Sequence, residues 1–371
     1  MMVYLDHAAT SPLCDEARSA MEPYLTERFG NASEPHEAGR LARDGLERAR
    51  AQVAELLGCE PRQVVFTSGG TEADNQAVFG LAGRPLGRLV VSAVEHSAVL
   101  EPARELERQG FEVAWIGVDA NGVVDVEDFE QAVSPGDRLA AVMWANNVTG
   151  ALQPIAELGA ICAERGVPLH VDAVQAAAAL PVDFRSSGAE TMALSAHKMH
   201  GPKGVGALIA RDPTRLRPLI WGGGQEGGLR SGTENVAGVV GFAAALAAVR
   251  NGSDRRRELR DRLENALPEL TVVSRGADRL PGHSLLLVEG VRAELLVLAL
   301  DRAGYAVSAG SACASGDQEP SHVLLAQGMT PDGARSVIRV SIGVTTTESE
   351  IDGFATELRD AIERLRAGAL V

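Results

Sequence analysis

Lysine is almost missing from this chain. Of the 35 Lys and Arg residues among 371, only Lys198 and Lys203 are lysine. A bias that strong suggests that lysine persists only where arginine cannot substitute. A guanidinium stays protonated and is no nucleophile, whereas a partly desolvated amine can lose its proton and form a Schiff base. Lys198 is therefore a candidate covalent lysine, set against the plainer reading of two leftover surface lysines. Cysteine is scarce too: Cys14, Cys59, Cys162 and Cys313 lie far apart with no Cys-x-x-Cys, so neither a zinc site nor a disulfide framework is indicated. Long apolar runs are lacking. The longest, Val236 to Val249, is too short and too rich in Gly and Ala to span a bilayer and reads as a buried helix. Asp6 and His7 interrupt the start before any apolar leader develops, so the cytoplasm is the expected location and no membrane partner is expected. Basic charge is in deficit, with a formal net charge of -15, which argues against nucleic acid as a partner.

What is present is a chain with 45% hydrophobic and 23% charged residues, long enough for a large core and two domains. Val3 to Leu5 reads as a short strand, and Asp6 to Pro12 as a small-residue turn into a helix capped near Asp15. From Glu37 to Leu57 apolar residues recur at helical spacing through Leu41, Ala49, Val53 and Leu56, and Gly58 is the stop. Val64-Val65-Phe66 is a predicted strand that runs into Thr67-Ser68-Gly69-Gly70-Thr71-Glu72 and a helix to about Leu81. Strand, glycine-rich turn and helix N-terminus together make an anion site, while the Gly-x-Gly-x-x-Gly of a dinucleotide site is absent.

The same grammar repeats. Predicted strands at Leu89 to Ala93, Leu139 to Trp144, Val167 to Val171 and Met192 to Leu194 run out at Glu95-His96, Asn146-Asn147, Asp172 with Gln175, and Ser195-Ala196-His197-Lys198. Helical segments such as Ala98 to Gln109 and Ile155 to Arg165 lie between them. The expected fold is α/β, a largely parallel sheet with helices on both faces and ligands beyond the carboxyl ends of the strands. After residue 250 the polar, arginine-rich stretch Asn251 to Arg262 marks a boundary. Strands are predicted near Ser284 to Val288 and Val337 to Ser341. A helix capped at Thr347 puts Ile351, Phe354, Leu358 and Ile362 on one face. Between those strands, Ser308 to Gly316 reads as a mobile small-residue loop holding Cys313.

A covalent lysine, an anion cradle and a strand-end aspartate are the parts needed to hold pyridoxal phosphate. Gly70, Thr71, Ser195 and His197 offer amides and side-chain donors to the phosphate. Asp172 can keep the pyridine nitrogen protonated. His96 is read either as a ring-stacking proton shuttle or as a helix cap.

These motifs also resemble those of the cysteine desulfurases that supply iron–sulfur assembly, a NifS- and IscS-like group of the class V aminotransferases. The resemblance runs from Tyr4-Leu5-Asp6-His7-Ala8-Ala9-Thr10 to Ile338-Arg339-Val340-Ser341-Ile342-Gly343. It is carried by Phe66 to Glu72, Glu95-His96, His170-Val171-Asp172-Ala173-Val174-Gln175, Ser195-x-His197-Lys198-x-x-Gly201-Pro202-Lys203-Gly204, Arg230-Ser231-Gly232-Thr233 and Gly310-Ser311-Ala312-Cys313.

It implies the fold type I of pyridoxal-phosphate-dependent transferases: a large domain (14–250) with a mostly parallel seven-stranded sheet, and a smaller α+β domain (1–13 and 251–371) carrying the cysteine loop. It implies that Lys198 carries the cofactor, that Asp172 faces the ring nitrogen and Gln175 the phenolic oxygen, and that Thr233 reaches the phosphate from the second subunit of a homodimer. Asn147 and Arg339 would lie around the ring and the substrate carboxylate, with Asn31 assisting. Cys313 would take sulfur from L-cysteine as a persulfide, leave L-alanine, and pass the sulfur to an acceptor protein. No metal site is implied beyond a transient iron–sulfur contact at Cys313. Within enzymes the alternatives are a selenocysteine lyase or another lyase or aminotransferase of the same fold; outside them, a non-catalytic scaffold. The sequence departs from the family at Val148, where Glu is usual, and at Gly227, where Arg is common.

Overall fold

Short apolar runs, each followed by a helix with one apolar face, fold into a sheet that the helices cover. The computed structural model describes residues 2–83, 85–249, 253–310 and 319–368. In chain order the first elements are β1 (Val3–Tyr4), α1 (Asp15–Thr26), α2 (Glu37–Leu57), β2 (Val64–Thr67), α3 (Gly70–Ala82), β3 (Arg88–Ser92), α4 (Ser97–Arg108), β4 (Glu112–Ile116), α5 (Val126–Ala132), β5 (Leu139–Ala141), α6 (Ile155–Arg165), β6 (Leu169–Asp172), β7 (Thr191–Ser195) and β8 (Gly206–Ala210). There follow α7 (Val236–Val249), α8 (Ser253–Ala266), β9 (Thr271–Val272), β10 (His283–Leu287), α9 (Ala293–Arg302), β11 (Tyr305–Ala306), β12 (Ser308–Ala309), α10 (His322–Ala326), α11 (Pro331–Ala334), β13 (Val337–Ser341) and α12 (Glu348–Arg366).

The large sheet has seven strands in the order β2-β8-β7-β6-β5-β3-β4. Only β8 opposes its neighbours; the other adjacent pairs are parallel. The carboxyl ends of β2, β3, β5, β6 and β7 therefore share one edge. Helix α7 is apolar all round and buried along most of its length, as expected of its composition. Its Gly241 lets α1 approach, since a Cβ there would sit 2.6 Å from Met21 Sδ.

A second core joins Leu5, Leu259 and Leu263 of α8, Leu296 of α9, Ile338 and Val340 of β13, and Ile351, Phe354, Leu358 and Ile362 of α12. Its antiparallel sheet has the order β12-β13-β10-β9. Helix α12 starts in a capping box: Thr347 Oγ1 accepts from Glu350 N, and Thr347 N donates to the Glu350 carboxylate. The N-terminal segment belongs to this half as well, with β1 parallel to β11. Between the halves, Val94 and Val148 pack with Val273, Leu285, Val323 and Val337. Val148 thus stands in an apolar seam, where the usual glutamate would need a partner.

Several details differ from the sequence reading. On α2 the covered face is Ala42, Leu46, Ala49, Val53 and Leu57, whereas Leu41 is 40% exposed. Helix α7 packs against α2. The edge strand β4 and the reversed strand β8 were not expected, and β5 ends at Ala141, short of Trp144. No single described helix is long and apolar enough to cross a membrane.

Candidate active site

Five strand ends and one helix N-terminus meet around a pocket of about 250 Å³, lined by Gly70, Thr71, Asp74, His96, Met143, Asn147, Asp172, Val174, Gln175, Ser195, His197 and Lys198. The first turn of α3 forms its anion end, because first-turn amides have no intrahelical acceptor. Backbone must come close here. A Cβ on Gly70 would meet Val174 Cγ2 at 2.8 Å. Glu72 ties the cradle to the loop after β8, accepting from Ser68 N at 2.8 Å and from Arg230 Nε at 2.9 Å. His197 reaches Thr10 Oγ1 through Nδ1 at 3.1 Å, and burial followed by the neighbouring lysine charges pushes it down to about 4.

Lys198 closes a single 3-10 turn after β7. Its Nζ donates to the carbonyls of Ala8 at 2.6 Å and Ala9 at 2.8 Å. Burial and then the Arg339 charge lower its pKa to about 8, although Asp172 and Asp6 oppose the shift. A neutral amine is therefore accessible near physiological pH.

Asp172 ends β6, buried, with its Oδ1 accepting from Val174 N at 2.9 Å. Burial raises its pKa, and the Val174 amide, His96 and Lys198 pull it back. Two further acids lie close behind. Asp74 and Glu95 are each 1% exposed, and burial, reinforced by the Asp172 charge, holds both well above the carboxylate range. Of the three, Asp172 is the one whose rise the neighbouring His96 and Lys198 oppose, so it holds a charge most readily. Asp74 Oδ1 shares a hydrogen bond of 3.1 Å with Nε2 of His170; His170 is neutral, its pKa pushed to about 3 by burial, and its Nδ1 faces Thr191 Oγ1 at 3.0 Å. Glu95 accepts from Met143 N at 2.6 Å.

His96 does cap α4: its Nδ1 accepts from Ala98 N at 3.1 Å. That bond fixes the tautomer and leaves Nε2 to carry the proton on the pocket side. Burial lowers its pKa. Gln175 donates from Nε2 to the Ala8 carbonyl at 2.9 Å.

Arg339 is 8% exposed and lies behind the lining. It donates to the Asn147 carbonyl at 2.8 Å and pairs with Asp6 at 2.7 Å. Its buried Nε has no acceptor among the described residues.

Nine sequence-derived positions thus converge: Gly70, Thr71, His96, Asn147, Asp172, Gln175, Ser195, His197 and Lys198. Asn31 does not join them; it is exposed, and its Oδ1 closes a local turn by accepting from Ser33 N. Thr233 is exposed and outside the lining of its own chain. Cys313 lies outside the described residues. Sequence reasoning missed Asp74 and the acidic role of Glu95. The signal for Asp74 was its place one turn after Gly70 on a helix otherwise buried through Ala73, Ala77 and Val78.

The family model for aminotransferase class-V matches residues 3–354, and the chain belongs to that family. A cysteine desulfurase of Gluconacetobacter diazotrophicus is 43% identical over 98% of this chain and 94% of its own length. A solved NifS-like protein superposes with a TM-score of 0.92 at 33% identity, covering 98% of this chain and 100% of the other. The structure described as SspA in complex with cysteine has a TM-score of 0.84 at 31% identity, over 93% and 100% of the two chains.

Proposed function

We propose that this protein is a pyridoxal-phosphate-dependent cysteine desulfurase, which releases L-alanine from L-cysteine and takes the sulfur onto Cys313 for delivery to an acceptor protein. The observation that carries this reading is a lysine of lowered pKa set between a helix N-terminal anion cradle and a buried carboxylate. The residues fit the cofactor. The cradle that Gly70 keeps open suits a phosphate, Asp172 suits a pyridinium N–H, and Gln175 can turn its amide to a phenolic oxygen. When bound, pyridoxal phosphate supplies an aldehyde that condenses with amines and a cationic ring that withdraws electrons from the substrate Cα.

The protein's own groups supply the rest. Lys198 holds or releases a proton at Nζ near neutral pH. His96, with Nδ1 occupied by the α4 cap, presents Nε2 for proton transfer. Asp172 holds a charge more readily than Asp74 or Glu95, because His96 and Lys198 oppose the rise that burial imposes on it. Arg339, already joined to Asp6, would meet the substrate carboxylate through its remaining donor capacity.

The reading is tested by incubating the purified protein with L-cysteine and following alanine and protein-bound sulfur together. Equal first-turnover amounts are expected. Alanine without protein-bound sulfur would favour a direct lyase, and a keto acid would favour an aminotransferase.

The homodimer belongs to the same proposal. It is supported by Thr233 lying outside its own pocket and by exposed Phe29 (75%) and Trp221 (80%). Sedimentation at micromolar concentration should give a dimer; an active monomer would remove this part.

A further inference from the structure

A second cavity, of about 30 Å³, lies beside Lys198 and is lined by His7, His200, His283 and Arg256, with no acidic residue among its lining. Arg256 comes from α8 and is 6% exposed. Its terminal nitrogens donate to the Ala178 and Ala179 carbonyls at 3.1 Å each. Its Nε is buried and has no acceptor among the described residues. Burial alone pushes its pKa down to about 10, and no neighbouring carboxylate lifts it. A buried guanidinium held only by neutral carbonyls is costly unless a counter-charge joins it.

The other walls are neutral imidazoles that bring no counter-charge. His7 is lowered to about 4 by burial and then by His200, against the pull of the Tyr4 backbone, and its Nδ1 is buried with no hydrogen-bond partner among the described side chains. His283, 4% exposed, is pushed to about 3 by burial and then by Arg339. His200 spends its Nδ1 on the Pro12 carbonyl at 3.1 Å. Two buried nitrogens without a partner among the described residues, Arg256 Nε and His7 Nδ1, thus belong to residues lining a small space whose positive charge comes from Arg256 and Lys198.

We propose that this cavity is a binding site for one halide-sized monovalent anion, chloride in ordinary solution, held between Arg256 and His7. Size makes the choice. One water-sized particle needs roughly 10–15 Å³ of such space, so about 30 Å³ suits a single small anion such as a halide. The anion would neutralise Arg256 and hold α8 against the 173–180 turn, behind Lys198 and apart from the phosphate cradle.

The test uses the cofactor-loaded protein in sodium chloride and in sodium gluconate at equal ionic strength. Thermal unfolding should move up by roughly 2 °C in chloride relative to gluconate in the wild type. The difference should vanish in Arg256→Leu, or in Arg256→Gln if the leucine variant does not fold. Crystals of the wild type grown in bromide should show an anomalous peak between Arg256 and His7, a readout that needs no variant. Equal unfolding temperatures in the two salts for the wild type, a chloride effect retained without the guanidinium, or a cavity holding only water would each overturn the proposal.

Discussion

Replacing Lys198 by arginine is expected to lower turnover by at least about 10⁴-fold, more than 5 kcal/mol of transition-state stabilisation, and to leave the protein without a visible absorption band after dialysis. The substitution keeps the positive charge and can keep the donors to Ala8 O and Ala9 O. What it removes is the neutral amine, which burial beside Arg339 makes available at about pH 8 in Lys198. An arginine cannot reach that state. Lys203 is exposed, so Lys203→Arg should keep both colour and activity. The pH dependence has a definite sign. Below about 8 the amine fraction rises tenfold per pH unit, so uptake of the aldehyde cofactor by the apoprotein should climb with pH and level off above that value. A coloured Lys198→Arg protein whose chromophore can be fixed by borohydride would sink the assignment.

The second large effect is expected at Cys313. Cys313→Ser should bind the cofactor normally, yet alanine release and protein-bound sulfur should both fall to background. The nucleophile must be a thiolate, and the other three cysteines are unsuited to replace it. Burial raises Cys14, pushes Cys59 up to about 11 and pushes Cys162 up to about 12. At neutral pH the Cys59 and Cys162 thiolates are present at roughly one part in a thousand or less. Serine copies the size of the side chain but is barely ionised at this pH and holds no persulfide. Cys14→Ser, Cys59→Ser and Cys162→Ala should each retain alanine production within about twofold. Alanine made at an appreciable rate by Cys313→Ser would discard the persulfide step. On the carboxyl side of residues 311–318, His322 Nε2 bonds the Glu95 carbonyl at 3.0 Å, next to His96.

Much of the site was legible because its chemistry restricts residue type. Lys198 stood out by scarcity, the α3 cradle by its strand-glycine-helix order, and Asp172 by its place at a strand end. The parallel sheet followed from the same alternation. What escaped the sequence depended on neighbours far along the chain. The inward face of α2 runs through Ala42, Leu46, Ala49, Val53 and Leu57 and leaves Leu41 outside, a choice set by its neighbours. Strand β8 runs backward between β2 and β7, a placement its five apolar-buried residues do not encode by period. Asp74 and Glu95 become informative only once burial and the Asp172 charge are known. Arg256 looked like one more polar residue in an arginine-rich boundary stretch, and only packing reveals it as buried. Asn31 and Thr233 entered through resemblance, and this chain's own pocket includes neither.

The N-terminal strap has a consequence for biosynthesis. Ala8 N donates to Ser341 Oγ and Asp6 pairs with Arg339, each contact joining residues 333 positions apart. The same strap carries the two carbonyls that grip Lys198. A ribosome adding roughly 5–20 residues per second needs about 20–70 s to travel from one partner to the other. During that interval the large sheet can condense around its own core, yet the floor beneath the lysine is still waiting for β13 to emerge. A chain that stopped before β13 would lack Arg339 and Ser341, the two partners that hold Asp6 and Ala8 of the strap beneath Lys198.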